Sequence, residues 1–371
     1  MDEATRAIGL SDPNPRVGCV IVGMDGATIL GKGYTQRAGG AHAEVMALRD
    51  AQAKGHDVRC STAYVTLEPC AHFGRTPPCC DALVAAGLGR VHIAVQDPNP
   101  AVQGQGAARL RAAGIRVEWA PEDIERECRG LNIGFLSRME RGRPWVRMKM
   151  AVTLDGYSAL TDGRSQWITS PDARQDGHHW RSRSGAILTG IGTVLRDDPA
   201  MTARLEGHKC EQPLRCVVDA RLEMPLDSKL LKQAGPVRIY TACGDRERRR
   251  VLKDRGVSLV DVPTDGKARL DLPSVLADIG NLAVNELHVE AGARLSGALF
   301  QTGMVDELLI YMAPRLLSKG AGLLALPVPT TLDEAPHLRF ESLAMIGTDA
   351  RLQLRVVPAP PGTPYPGVGP C

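Results

Sequence analysis

The order His42-Ala43-Glu44, then Pro69-Cys70, then Cys79 constrains this chain more than any other feature it carries. One imidazole, two thiols and a carboxylate left over are the side chains of a catalytic zinc site, in which three protein ligands hold the ion and the fourth position goes to water. Gly39-Gly40 makes a turn and residues 41–53 read as a helix. His42 and Glu44 then fall in its first turn, with about 100° of rotation per residue, so one can hold metal while the other faces substrate. Alternation in Ala63-Tyr64-Val65-Thr66-Leu67 reads as a strand, and residues 80–86 read as a helix. Cys70 therefore follows a strand and Cys79 opens a helix, where a thiol ionises more readily.

Two thiolates offset the charge of the ion, so water held there is expected to be less acidified than at an all-histidine site. A carboxylate base is then needed. Glu44 is the expected one, taking a proton from water and returning it to a ring nitrogen and the departing ammonia. His-x-Glu followed by Pro-Cys and a second Cys is the pattern of zinc-dependent base deaminases. Here eight residues separate the two cysteines where that pattern has two. Cys80 stands beside Cys79 as an alternative ligand, and Cys80 or His72 could complete a closed, purely structural site.

Composition narrows the partners. A length of 371 residues predicts two domains, or at most three. With 45 basic against 42 acidic residues there is no broad positive footprint, so nucleic acid is not an expected partner. Ten cysteines are too sparse and irregular for a disulfide framework, and no basic-then-apolar leader opens the chain. No apolar run approaches the roughly 20 residues of a membrane span. A reduced, cytoplasmic setting without membrane association is expected.

Strands at 17–22, 29–33, 91–95 and 115–119 alternate with helices at 41–53, 80–86 and 106–113, which describes a three-layer α/β domain over 1–143 with a helical segment at 121–139. The second half restarts at Pro144. Strands at 145–151, 186–189, 215–219, 237–241, 257–262 and 286–290, helices at 173–184 and 245–255, and strands at 306–312 and 351–357 make a second α/β domain over 144–357. The tail 358–371 is rich in proline and glycine and is expected to be disordered. No Gly-x-Gly-x-x-Gly follows a strand, which disfavours a Rossmann site. Instead a strand ending at Glu290 runs into Ala291-Gly292-Ala293-Arg294-Leu295-Ser296-Gly297, opening a helix whose free amides suit a cofactor phosphate or whose small residues serve tight packing. Gly190-Ile191-Gly192-Thr193 is a second such turn. The run Arg246-Glu247-Arg248-Arg249-Arg250 reads as a solvated helix face rather than a phosphate site.

The segment Pro69-Cys70-Ala71-His72-Phe73-Gly74-Arg75-Thr76-Pro77-Pro78-Cys79-Cys80 resembles the bifunctional riboflavin-biosynthesis family, a pyrimidine deaminase joined to a pyrimidine reductase. The resemblance continues through Thr153-Leu154-Asp155-Gly156, Gly163-Arg164-Ser165-Gln166-Trp167-Ile168-Thr169, Asp197-Asp198-Pro199 and Val289-Glu290-Ala291-Gly292. It covers nearly the whole chain apart from the tail, although the family ordinarily has a longer helix before its Pro-Asn-Pro segment. It implies a cytidine-deaminase-like three-layer α/β/α domain followed by a dihydrofolate-reductase-like α/β domain. The implied reactions are zinc-dependent hydrolytic deamination of 2,5-diamino-6-(5-phosphoribosylamino)pyrimidin-4-one, then NADPH-dependent reduction of the ribosyl group to ribityl.

The resemblance also implies roles. His42, Cys70 and Cys79 become the ligands of one Zn2+ and Glu44 the proton shuttle, with Asn14, His72 and Arg75 as substrate contacts. In the second domain Ala151, Trp167, Thr193, Asp197 and the turn Gly292, Ala293, Arg294, Leu295, Ser296, Gly297 and Ala298 become NADPH contacts. Ser165, Arg181, Arg204 and Glu290 become substrate contacts. The arginines suit a phosphate, to which each presents paired donors. Glu290 at a strand end would orient ribose hydroxyls or cap the next helix. Lys149 is either a solvated strand lysine or an electrostatic aid to the hydride step. A small phosphoribosyl-pyrimidine partner and a homo-oligomer are expected. The rival reading is a nucleoside or transfer-RNA deaminase whose C-terminal half only binds or oligomerises.

Overall fold

A computed structural model of the protein describes residues 1–357 apart from 75–76, 100–101, 206, 208–209 and 266–268. Arg75 and the tail 358–371, both singled out above, lie outside the described residues. The chain divides into two compact units, Met1–Arg143 and Pro144–Cys371.

The first unit runs α1 (Asp2–Thr5), β1 (Gly18–Val22), β2 (Ile29–Tyr34), α2 (Ala43–Ala53), β3 (Thr62–Val65), α3 (Cys79–Ala85), β4 (Arg90–Ile93), α4 (Gln105–Ala112), β5 (Arg116–Trp119), α5 (Glu122–Leu131) and α6 (Ile133–Arg141). Its five-stranded sheet has the order β2-β1-β3-β4-β5. β1 is antiparallel to both neighbours, and β3, β4 and β5 are parallel. Ala43, Ala47 and Ala51 recur at four-residue spacing and are fully buried. They meet glycines on β2: a Cβ on Gly33 would stand 2.3 Å from the Ala43 carbonyl oxygen, and one on Gly31 2.2 Å from that of Ala47. Small residues on both sides let the helix lie directly on the strand, which fixes where α2 begins.

The helical segment expected over 121–139 is two helices. Asn132 breaks it by using its side chain on the backbone of Arg16: Oδ1 accepts the Arg16 N–H at 2.7 Å and Nδ2 donates to the Arg16 carbonyl at 3.0 Å. The loop that carries Asn14 is held by this clamp and by Arg138, which donates to the Pro13 carbonyl at 3.0 Å.

The second unit runs β6 (Trp145–Thr153), β7 (Tyr157–Ala159), α7 (Pro171–Ser182), β8 (Ala186–Gly190), α8 (Ile191–Asp197), β9 (Leu214–Val218), α9 (Lys229–Lys232), β10 (Val237–Thr241), α10 (Arg246–Asp254), β11 (Val257–Asp261), α11 (Leu272–Asn281), β12 (Glu286–Val289), α12 (Ala293–Gln301), β13 (Glu307–Ala313), β14 (Ala321–Gly322), β15 (Leu338–Ile346) and β16 (Asp349–Val356). Nine strands form one sheet in the order β11-β10-β9-β8-β12-β6-β13-β16-β15. All neighbours are parallel except the β13-β16 and β16-β15 pairs. The progression of strands from β8 outward reverses at β12, so β8 and β12 flank a switch point where α8 and α12 diverge, the place ligands take in open α/β sheets.

Alternation along β6 puts Val146, Met148, Met150 and Val152 in the apolar core. Its opposite face is polar yet buried. Arg147 is 1% exposed and binds Glu286 and Glu307, each at 2.6 Å. Its guanidinium lies 4.4 Å from the Trp180 ring centre. Such a charge is tolerable inside only because both carboxylates answer it, and removing one partner of a buried pair costs about 3–5 kcal/mol. Sequence analysis assigns nothing to 338–346, where β15 forms the sheet edge. A bulge between Phe340 and Ser342 breaks its alternation.

Candidate active sites

In the first unit the two cysteine elements and α2 bring His42, Cys70 and Cys79 together, with one ligand atom of each within 4.8 Å of the others. His42 Nδ1 lies 3.2 Å from Cys79 Sγ and 3.6 Å from Cys70 Sγ. A tetrahedral zinc with bonds of about 2.0–2.3 Å sets its ligand atoms roughly 3.5–4 Å apart, so the three fit that ion. His42 is the extended residue capping α2 rather than part of its first turn, and Glu44 lies in that turn, 3% exposed. Cys79 is the first residue of α3, as expected.

The electrostatics suit metal binding. A hydrogen bond from Cys79, with the His42 ring and the Cys79 backbone N–H, holds the Cys70 thiol down to about 4. Cys79 is raised because its thiol is the donor in that bond. Burial pushes the Glu44 carboxyl up, and the Cys70 charge adds to it. The alternative ligands are placed elsewhere. Cys80 donates to the carbonyls of Pro69 at 3.3 Å and Gly106 at 3.5 Å, and burial pushes its thiol up to about 12. His72 is exposed. Among the described residues no fourth His, Cys, Asp or Glu joins the group, as a catalytic rather than a closed site requires.

Sequence reasoning missed what holds Cys70 in place. Buried Glu68 accepts the backbone N–H groups of Asp97 at 3.3 Å, Gly104 at 3.0 Å and Ala107 at 3.0 Å, tying the loop after β4 and the start of α4 to the Pro69-Cys70 segment. Gly106 must lack a side chain, since its Cβ would stand 2.0 Å from the Pro69 carbonyl oxygen. Asp97 is buried in the same place, its carboxyl pushed up to about 6 chiefly by burial.

In the second unit Arg181 on α7 and Glu290, just past β12, form a two-pronged pair at 2.6 and 2.7 Å. Burial alone would raise the Glu290 carboxyl, but Arg181 and His288 hold it well below the usual range. His288 Nε2 is 3.1 Å from Glu290 Oε1. Arg181 also donates to the Thr202 carbonyl at 3.1 Å. Arg204 is exposed and donates to Thr202 Oγ1 at 2.7 Å and His178 Nε2 at 3.0 Å. Lys149 is half-buried on β6, its ammonium 5.4 Å from the Tyr311 ring centre; burial pushes its pKa down, with Glu290 opposing and Arg181 adding to it.

The expected cofactor contacts spread along the switch point. Leu295 of α12 reaches β8, where a Cβ on Gly190 would be 3.0 Å from it. Gly292 is the N-cap of α12 and, having no side chain, leaves its first turn without a side-chain cap hydrogen bond. Arg294 is exposed and Ala293, Leu295 and Ala298 are half-buried. Ser296 and Gly297 turn inward instead: Ser296 donates to the Ala291 carbonyl at 3.2 Å, and a Cβ on Gly297 would be 2.3 Å from the Ala325 carbonyl oxygen. Thr193 and Asp197 are half-buried on α8, with burial pushing the Asp197 carboxyl up. Ala151 lies on β6 opposite Tyr311. Ser165 and Trp167 sit between β7 and α7. Trp167 is 60% exposed, with the Arg174 guanidinium 4.5 Å from its ring centre. The arginine run on α10 is divided: Arg248 donates to the Leu222 and Met224 carbonyls and Arg249 pairs with Asp261 at 2.7 Å, while Arg246 and Arg250 are exposed.

These two units are a zinc-type deaminase domain and a reductase domain of mixed α/β build. Residues 1–95 match the cytidine and deoxycytidylate deaminase zinc-binding region, and residues 144–352 match the RibD C-terminal domain. The chain belongs to the RibD family, the bifunctional deaminase-reductases of riboflavin biosynthesis. It is 44% identical over 363 residues to the riboflavin biosynthesis protein RibD of Escherichia coli K12, covering 95% of this chain and 96% of the relative. A solved structure of Acinetobacter baumannii RibD is 38% identical with a TM-score of 0.86, covering 96% of each chain. A diaminohydroxyphosphoribosylaminopyrimidine deaminase/5-amino-6-(5-phosphoribosylamino)uracil reductase of Thermotoga maritima is 28% identical with a TM-score of 0.83 and the same coverage. The rival reading is not favoured, because residues 144–352 match the RibD C-terminal domain.

Proposed function

We propose that residues 1–143 deaminate the phosphoribosylamino-diaminopyrimidinone and that residues from 144 onward then reduce the ribosyl group of the aminouracil to ribityl. The observation that carries this reading is the pairing, in one chain, of a three-ligand metal group beside a buried free carboxylate with an Arg181-Glu290-Arg204 cluster at the sheet's switch point.

His42, Cys70 and Cys79 would hold zinc, which when bound supplies Lewis acidity and lowers the pKa of water. Glu44, buried beside these ligands, takes a proton from water as its oxygen bonds to the ring carbon and delivers it to the ring nitrogen; it then carries the new hydroxyl's proton to the amine, which leaves as ammonia as the carbonyl forms. Asn14, His72 and Arg75 are assigned to substrate. NADPH when bound supplies the hydride of the second reaction. The open first turn of α12 suits its phosphates, with Ala151, Trp167, Thr193 and Asp197 as further contacts. Arg204 takes the substrate phosphate. Glu290, fixed by Arg181, keeps acceptor capacity for a sugar hydroxyl, and Ser165 adds a hydroxyl. Arg181 and His288 hold the Glu290 carboxyl well below the usual range, so it is not a proton donor here and positioning dominates this unit's contribution.

A homo-oligomer is part of the proposal. Leu338, Phe340, Leu343 and Met345 on edge strand β15 are 38%, 65%, 65% and 64% exposed, and a second copy is the partner that would cover them. Among the described residues no helix is long and apolar enough to cross a membrane. A reduced cytoplasmic setting suits thiol ligands. The test is Glu44→Gln: metal content stays, deamination falls by at least about 100-fold, and NADPH oxidation on pre-deaminated substrate persists. Loss of both activities in a folded variant would contradict separate sites.

A further inference from the structure

We propose that His178 is a positioning residue for the reductase: a neutral imidazole that accepts from Arg204 and aims its guanidinium at the substrate phosphate. The proposal rests on the reading of Arg204 as the phosphate contact.

Arg181 and Arg204 are not equivalent. Arg181 spends three donors on Glu290 and the Thr202 carbonyl, and its charge is answered by that carboxylate. Arg204 has no carboxylate partner among the described residues; its guanidinium donates to the Thr202 hydroxyl and to His178. Its charge is therefore the one available to an anion.

The 3.0 Å contact between Arg204 Nη2 and His178 Nε2 fixes the state of the ring. A guanidinium has only donors, so Nε2 must be the acceptor and the ring proton sits on Nδ1. Nδ1 is buried with no hydrogen-bond partner among the described residues. Burial first, then the charges of Arg181 and Arg204, push His178 down to about 4, with Glu290 and the Thr202 backbone opposing. His178 lies three residues before Arg181 on α7, one turn away on the same face.

An imidazole has a property here that a carboxylate lacks. It holds the guanidinium in one orientation without cancelling the charge that the phosphate needs. A purely packing histidine would require only a ring of similar volume, so acceptor and charge can be separated by substitution.

The experiment compares His178→Ala, His178→Gln and His178→Glu with Arg204→Ala in the full-length protein. It reads reductase kcat and KM and competitive inhibition by ribose 5-phosphate, with unsubstituted ribose as control. A hydrogen bond to a charged group contributes about 1.5–3 kcal/mol, so His178→Ala is expected to raise KM and the ribose 5-phosphate inhibition constant about 10-fold or more while kcat changes little. Gln, a neutral acceptor, restores both most of the way; Glu, an acceptor with a charge, does not. If Arg204→Ala weakens ribose 5-phosphate but His178→Ala does not, or if a folded Gln variant behaves like Ala, the His178 assignment is overturned while Arg204 keeps its role. If Arg204→Ala leaves ribose 5-phosphate inhibition unchanged, the reading of Arg204 fails and the role of His178 fails with it.

Discussion

Glu290 receives Arg181 through both carboxylate oxygens, at 2.6 and 2.7 Å, so the acid at the end of β12 and the base on α7 act as one unit. Glu290→Gln would leave the Arg181 charge unmatched. The pair is 18% and 16% exposed, which lowers the full buried-pair penalty to about 1–3 kcal/mol. Because the folded carboxyl is held below its unfolded value, the stabilisation is present above the unfolded value of about 4.3 and is lost as pH falls through the folded one. Urea unfolding of the second unit should show the largest gap between wild type and variant above about pH 4.3, closing under stronger acid. A gap that widens toward acid would contradict this.

Gly33→Ala tests the contact that sets the start of α2. The new Cβ would meet the Ala43 carbonyl oxygen and the Ala47 nitrogen, both at 2.3 Å, and backbone must move. Overpacking of this kind costs about 1–3 kcal/mol. Zinc content and deamination should fall together, while the isolated reductase reaction on deaminated substrate is unchanged. A variant with full metal and full deamination would show that α2 tolerates displacement.

How far the sequence foretold this arrangement depends on which interactions are local. The metal group was legible because its side chains declare their chemistry wherever they are placed. The exact position of His42 was not, since a cap and a first-turn residue carry the same neighbours in sequence. Arg181 and Glu290 each stood out in the sequence, yet their pairing joins positions 109 apart, which no local pattern encodes. Glu68 and Asn132 left no trace in the sequence, because each works by capturing backbone groups of distant loops. Edge strand β15 escaped notice for the opposite reason: its bulge disrupts the period-two pattern from which strands are read.

Phe340→Asp addresses the oligomer. The side chain is 65% exposed on β15, so the fold should be unaffected and thermal unfolding nearly unchanged. Light scattering should show the wild type as a multimer and the variant with a smaller mass. A monomeric wild type, or an unchanged variant mass, would mean that β15 is not where copies meet.

The most direct test is elemental analysis of the gently purified protein for zinc. The account predicts one zinc per chain in wild type and in Glu44→Gln, and a large loss in Cys79→Ser with the second unit still folded. Absence of stoichiometric zinc from the wild type, or full retention in Cys79→Ser, would contradict a metal held by His42, Cys70 and Cys79.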